Sequence, residues 1–212
     1  MSGCELNLII PHELTDDSGK TKKVEVIGQY AFNNCGNKDA SNGRTRSIVL
    51  SRYIKVIKTW GLGSMDDVTS FRIEEGSCLE SIEYKGLSYM SYQNYDDNAR
   101  SGILVLPSTV TSIAENGLFQ NNLIKTIYYC GSTHLSNYSD LEYGEVKAPD
   151  IKVTSLYTYN TIFRDYTPKK DSSSIAEAEE KCKSYGYKPE ASPSRSVSPS
   201  KSKTPTARNK CE

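Results

Sequence analysis

One motif is written four times in this chain of 212 residues, and it constrains the fold more than any other feature. An apolar-x-apolar triplet is followed by two apolar residues three apart, and then by a small residue and a large apolar one. The clearest copy is LVLPSTVTSIAENGL, residues 104–118. Repeats of roughly 20 to 50 residues are typical of stacked arrays, because each unit is too small to bury its own apolar face. The sequence therefore predicts an array in which every unit depends on its neighbours.

The spacing of the triplets gives the base period of this array. When the last apolar residue of each triplet is taken as a marker, the intervals are 40, 23, 33 and 23 residues. Since two intervals agree at 23, we assign the extra length to polar insertions at residues 12–23, 36–44 and 89–102. These stretches are rich in Asn, Asp, Gly and Ser, as surface loops are. The markers are Ile10, Leu50, Ile73, Leu106 and Tyr129.

Each triplet alternates inward and outward positions and contains aliphatic or β-branched residues, which favours a short strand. The inward residues of successive units are expected to stack, and burying one Leu or Ile contributes about 1.5 to 3 kcal/mol. The small residue of the motif, as at Gly61, lets the chain turn tightly against the neighbouring unit.

The outward positions form a strand face, on which we place Val49, Arg72, Val105 and Tyr128 as candidate binding residues. A row of aliphatic side chains with an Arg and a Tyr is typical of interfaces. The alternative interpretation is that Val and Tyr are present because strands favour them.

Four segments resemble the BspA-like leucine-rich repeat family, whose pattern runs apolar-x-apolar-Pro, Val-x-x-Ile and Ala-Phe. The resemblance covers about residues 5–165, with Ala-Phe kept only at Ala31 and Phe32 and Pro only at Pro11 and Pro107. It implies a solenoid of leucine-rich repeats, with short parallel strands on one face and irregular turns on the other. It also implies a cell-surface or secreted protein of the surface antigen type that acts in adhesion. The four segments are IGQYAFNNC at 27–35, FRIEEGSCLESIEYKGL at 71–87, LVLPSTVTSIAENGLF at 104–119 and LIKTIYYCGS at 123–132.

The composition divides the chain into three parts. We predict a leucine-rich repeat solenoid of about five to six coils at residues 1–165, a linker and short C-terminal helix at 166–187, and a disordered tail at 188–212. Ser174 and Glu177 match a capping box at the start of the helix. The tail is rich in Ser, Pro and Lys and has 6 basic residues against 2 acidic ones, a composition that favours disorder.

The first strand begins almost at the first residue of the sequence. An uncapped end coil leaves apolar surface and strand edges exposed. Three explanations stay open: a short cap formed by residues 1–7, a cap supplied by a partner, or an N-terminally truncated solenoid.

Ser192, Ser198 and Thr204 each directly precede Pro in the basic tail, and they are candidate phosphorylation sites. Phosphorylation adds about 1.5 to 2 negative charges per site and would reverse the sign of the tail. A solubilising linker is the alternative interpretation of the same composition. Asn137 begins a glycosylation sequon, which has meaning only in an exported chain.

Six cysteines are spread along the chain, and none lies in a Cys-x-x-Cys pair. A free Cys behaves as a small apolar residue, so we expect Cys35 and Cys130 to pack as thiols. A zinc site is disfavoured, because His12 and His134 are the only histidines and neither has ligand spacing from a cysteine pair.

The sequence contains no motif that points to catalysis. Nucleophile elbows, dinucleotide fingerprints and Walker loops are all missing from it. The carboxylates Glu74, Glu75, Glu80 and Glu83 are expected to be solvated surface. We therefore predict no enzyme, no catalytic residues, no metal site and no cofactor. A net charge of zero gives no general attraction to nucleic acid, and no apolar stretch reaches the length of a membrane span.

The sequence thus predicts a non-catalytic protein-binding module that binds a protein or extracellular-matrix ligand through its strand face. The first residues lack the charged start and apolar run of a signal peptide, so both a cell-surface and a cytoplasmic location stay open. The alternative is an intracellular scaffold or structural repeat protein with a phosphorylatable Ser-Pro tail.

Overall fold

A computed structural model describes residues 4–35, 45–91, 102–114, 116–131, 150–154 and 171–187. Two of the predicted insertions, residues 36–44 and most of 89–102, lie outside these segments. Twelve short strands and one helix are found in the described residues. They are β1 (Asn7–Ile9), β2 (Glu13–Thr15), β3 (Thr21–Lys23), β4 (Val26–Ile27), β5 (Ser47–Leu50), β6 (Val56–Ile57), β7 (Ser70–Ile73), β8 (Ser81–Ile82), β9 (Gly102–Leu106), β10 (Ser112–Ile113), β11 (Ile124–Tyr129), β12 (Asp150–Val153) and α1 (Ser172–Ser184).

One row of parallel strands comes from the apolar-x-apolar triplets. β1 pairs with β5 and β5 with β7, and β9, β11 and β12 pair in that order. β9 also contacts β7. The register places Leu50 opposite Ile73, Leu106 opposite Tyr129, and Tyr129 opposite Val153. These positions are 23, 23 and 24 residues apart, so each repeat of the motif adds one strand to the row.

A second parallel sheet faces the same core, at the positions where the sequence predicts irregular turns. It contains β4, β6, β8 and β10 in that order, each only two residues long. The last residue of each strand is buried in the core that the first row also lines. This sheet forms because the apolar pair supplies a short extended segment at the same place in each of the four copies of the motif. The four buried residues are Ile27, Ile57, Ile82 and Ile113.

The first insertion folds as a β-hairpin rather than as an irregular loop. β2 and β3 are antiparallel, with Glu13 opposite Lys23, and every residue of both strands is exposed. At the base of the hairpin, His12 Nε2 lies 2.6 Å from Glu74 Oε2, and Lys23 Nζ lies 4.9 Å from the centroid of the Tyr53 ring. The base of the hairpin therefore contacts the second and third coils.

The small residue of the motif lies tightly against the neighbouring coil. A Cβ atom added to Gly61 would lie 2.9 Å from Lys58 O and 3.0 Å from Ile27 Cγ2 of the preceding coil. A Cβ atom on Gly86 would likewise lie 3.3 Å from Ile57 Cγ2 of the preceding coil, whereas Gly117 is confined mainly by its own turn, with Ile113 Cγ2 at 2.9 Å. Glycine is needed at these positions for space, since none of the three has a positive φ.

We expect Gly61→Ala to lower the free energy of unfolding by about 1 to 3 kcal/mol, the usual effect of overpacking a core. Gly28→Ala is the matched control, because nothing lies within 4 Å of a Cβ placed on Gly28. Urea unfolding of both variants provides the measurement. Equal stability of the two variants would contradict the close approach of the coils at Gly61.

Candidate interaction surface

The outward side chains of the first row form the strand face. Its four predicted members come from β5, β7, β9 and β11, one from each strand. The register places Val49 opposite Arg72 and Val105 opposite Tyr128. The fold therefore brings the predicted residues together as two neighbouring pairs.

The two pairs differ in exposure. Arg72 is exposed and Val49 is half-buried, whereas Val105 is only 3% exposed and Tyr128 only 5%. From the sequence, all four side chains are expected to face solvent. That expectation is wrong for Val105 and Tyr128, because helix α1 packs over them.

Helix α1 covers the C-terminal half of the strand face. Its Ala178 and Cys182 pack with Val105, Tyr128 and Cys130 in an apolar cluster that is separate from the main core. Residues four apart lie on one face of a helix, so a single stripe of α1 makes this contact. The helix thereby buries the outward side chains of β9 and β11.

A carboxylate fastens the helix to the strands beneath it. The Tyr128 hydroxyl donates a hydrogen bond to Glu177 Oε1 at 2.5 Å, and Lys152 Nζ donates one to Glu177 Oε2 at 2.5 Å. The bonds from Lys152 and Tyr128 lower the pKa of Glu177 below its ordinary value. Burial and the nearby carboxylate raise the pKa of Tyr128, so the tyrosine is a neutral hydrogen-bond donor.

A disulfide also joins the helix to the array. Cys130 and Cys182 are bonded, with their Cα atoms 5.7 Å apart. Cys4 and Cys35 are bonded across the first coil, with their Cα atoms 5.2 Å apart, and Cys78 is disulfide-bonded as well. The expectation that Cys35 and Cys130 pack as free thiols is therefore wrong. The fold brings together cysteines that are 31 and 52 residues apart, and local spacing does not reveal such pairs.

Both ends of α1 are fixed by specific contacts. Asp171 is the N-cap and its Oδ1 accepts a hydrogen bond from Ser174 N at 2.9 Å, so the cap lies three residues before the predicted Ser174. Beyond the helix, the buried Tyr187 hydroxyl accepts a hydrogen bond from Ser77 N at 3.2 Å. Burial raises the pKa of Tyr187 to about 12. The segment is thus anchored to the array on both sides of the disulfide.

The Glu177 contacts make the docking of α1 depend on pH. Because its pKa is lowered in the folded state, this carboxylate contributes stability above its unfolded pKa of about 4.3, and the contribution is lost as pH falls through the folded pKa. The Asp171 cap adds to the same trend, since hydrogen bonds from Ser173 and Ser174 lower its pKa. We expect amide protection factors in α1 to fall below about pH 4, before those of the second sheet.

Glu177→Gln is expected to reduce this pH dependence of the α1 protection factors. Glu180→Gln is the matched control, because Glu180 is an exposed carboxylate on the same helix. An unchanged pH profile in the Glu177 variant would show that the helix is held by other contacts.

The N-terminal half of the strand face is open. Ile9 is 62% exposed on β1, opposite Val49, which in turn is opposite Arg72. Beside them, the Ser47 hydroxyl donates a hydrogen bond to Asn7 Oδ1 at 2.7 Å. We call Ile9, Val49 and Arg72 the open row. Ile9 was missed in the sequence, although it precedes Val49 by the same 40 residues that separate Ile10 from Leu50.

Glu74 and Glu83, which are expected from the sequence to be solvated, instead make hydrogen bonds to neighbouring coils. Glu74 Oε2 lies 2.6 Å from His12 Nε2 and accepts a hydrogen bond from Arg52 N at 3.1 Å. Glu83 Oε2 accepts hydrogen bonds from Thr59 N and Oγ1 at 3.1 and 3.2 Å. Both carboxylates therefore link their own coil to an earlier one.

Some predicted features lie beyond the described segments. These are Asn137, His134, the three tail sites Ser192, Ser198 and Thr204, and the whole of residues 188–212. Within the described segments, no group of three or more His, Cys, Asp and Glu side chains is placed to hold a metal ion. The single helix found there is too short and too polar to cross a bilayer.

No family model, curated protein or solved structure matches the chain.

Proposed function

We propose that this protein is a non-catalytic binding module, a solenoid of leucine-rich repeats that binds a protein or extracellular-matrix ligand through the open row. The proposal of a solenoid is supported by a first row of six parallel strands and a second sheet of four, which line one core and repeat in the order of the motif. The observation that carries the binding proposal is the open row itself. Ile9, Val49 and Arg72 lie side by side on three paired strands and stay outside the area covered by α1.

The chemistry of the open row indicates the kind of ligand that it fits. Arg72 presents a planar guanidinium with five donors, which suits a carboxylate. Ile9 and Val49 supply apolar area next to that charge. The row therefore fits a ligand in which an acidic side chain lies beside an apolar one, and Arg72 is the expected hot spot.

The disulfides support a location outside the reducing cytosol. Such bonds form and persist in secreted proteins, at cell surfaces and in other oxidising compartments. The pairs Cys4–Cys35 and Cys130–Cys182 thus favour the surface-adhesion function over the intracellular scaffold. The phosphorylatable tail on which the scaffold function depends lies outside the described residues.

A charge reversal in the open row tests the proposal. We expect Arg72→Glu to weaken binding to an immobilised extracellular-matrix extract by about thirty-fold, the effect of losing a hot spot worth about 2 kcal/mol. Lys58→Glu is the matched control, since Lys58 is an exposed cation that follows β6 of the second sheet. Unchanged binding of the Arg72 variant, or an equal loss in the control, would overturn the open row as the site.

The location is tested separately by labelling intact cells with a membrane-impermeant reagent. We expect the protein to be labelled. Protection of the protein in intact cells, with labelling after lysis, would remove the adhesion function.

A further inference from the structure

The first row of strands and the second sheet both end at the first coil. β1 is the outermost strand of the first row, and β4 is the outermost strand of the second sheet. In the part of the chain that the structure describes, neither strand has a neighbour on its far side. One coil therefore presents two open strand edges at once.

The exposed apolar surface is concentrated on the same coil. Six large apolar side chains are exposed among the described residues, and five of them lie between positions 6 and 30. Clustered apolar exposure of this kind marks an interaction site, whereas scattered exposed residues do not. Leu6, Ile9, Val26 and Tyr30 lie on the coil itself and Leu14 lies on the hairpin, with exposures of 44 to 62%.

The hydrogen bonds from β1 to β5 identify which backbone groups of β1 face outward. Leu6 O accepts from Arg46 N, and Ile10 N donates to Val49 O, so alternate residues of β1 point to β5. Asn7 and Ile9 consequently direct their N–H and C=O groups away from the array.

β4 also directs one residue's backbone groups away from the array. Lys55 N donates to Glu25 O and Lys58 N donates to Ile27 O, which leaves the N–H and C=O of Val26 facing outward. Natural edge strands are usually protected by a charged residue or Pro, and β1 and β4 contain neither. The charge next to β4 is directed to the array, because Glu25 Oε1 lies 2.7 Å from Lys55 Nζ of the second coil.

We infer that the first coil is the surface through which two copies of this chain associate. A single extended peptide can pair with one edge only, whereas a second copy presents both edges at the matching separation. A two-fold axis perpendicular to the array pairs β1 with β1 and β4 with β4 in antiparallel fashion, as an isologous interface requires. Asn7 of one copy then lies opposite Ile9 of the other, and Val26 lies opposite Val26. The base of the hairpin contacts the second and third coils, on the side of the first coil away from this interface.

Association of this kind goes beyond ligand binding and places two open rows in one particle. Val26 belongs to the second sheet, so a variant there tests association without altering the open row. Ligand binding through the open row and association through the first coil can therefore be lost independently of each other.

A lysine placed on the outward edge tests the inference. We expect the wild-type chain to sediment as a dimer at micromolar concentration and Val26→Lys to weaken the dimer by at least about ten-fold, since two ammonium groups would then face each other in the interface. Val56→Lys is the matched control, because Val56 occupies the equivalent position one coil further in. This variant is expected to remain dimeric. A monomeric wild type would overturn the inference, and so would a folded Val26→Lys chain that dimerises as tightly as the control.

Amide exchange of the wild type gives a second measurement that does not depend on a variant. We expect protection of the Asn7, Ile9 and Val26 amides to rise with protein concentration. A dimer that leaves these three amides unprotected would place the interface elsewhere and contradict the inference.

Discussion

Removing the Cys130–Cys182 disulfide is expected to release helix α1 and to expose the C-terminal half of the strand face. The bond closes a loop of 52 residues, for which the chain-entropy relation gives about 4 kcal/mol. A helix of 13 residues is marginal by itself, and the apolar cluster that holds it is small. The double variant Cys130→Ala, Cys182→Ala avoids leaving a lone thiol in this cluster.

Amide protection in residues 172–184 and the far-ultraviolet helical signal measure this effect, and we expect both to fall. The matched control is Cys4→Ala, Cys35→Ala, which opens a disulfide in the first coil with a separation of 31 residues. This control is expected to lose overall stability but to keep α1 protected. Full protection of α1 in the Cys130, Cys182 variant would show that packing and the Glu177 contacts are enough to hold it.

Leu106→Ala is expected to lower the free energy of unfolding by about 2 to 5 kcal/mol, the range for truncating a buried Leu. Leu106 has no exposed surface and lies opposite Tyr129 in the register. It belongs to the one core that both sheets line. In the proposed solenoid each coil depends on its neighbours, so the cavity is expected to destabilise the adjacent coils as well.

Chemical denaturation provides the measurement for Leu106→Ala. Leu14→Ala is the matched control, since Leu14 is 55% exposed on the hairpin and should change stability by less than about 0.5 kcal/mol. Equal effects of the two substitutions would mean that the motif residues do not form a shared core.

Much of the strand arrangement follows from the sequence. Alternation within each triplet identifies the inward residues, because successive side chains of a strand point to opposite faces. The 23-residue spacing then fixes which of them become neighbours, as with Leu50 and Ile73. The helix is also visible in the sequence, although its N-cap is Asp171 rather than Ser174.

The shortest strands could not be predicted from the alternation of side chains, and the reason is physical. A strand of two residues, such as Val56–Ile57, contains no alternation to detect, so the second sheet looked like turns. The hairpin at residues 13–23 has only exposed side chains, and without a buried face it leaves no hydrophobic pattern. Its antiparallel pairing depends on backbone hydrogen bonds, which every residue type except Pro can donate.

The sequence by itself determined which side chains point away from the main core at Val49, Arg72, Val105 and Tyr128. Only the tertiary structure decided which of them reach solvent, because a strand pattern says where a side chain points and nothing about what packs over it. The cover is a helix 44 or more residues further along the chain than Tyr128, held there by a disulfide and a buried cluster. Such contacts are set by three-dimensional proximity, and no local spacing encodes them.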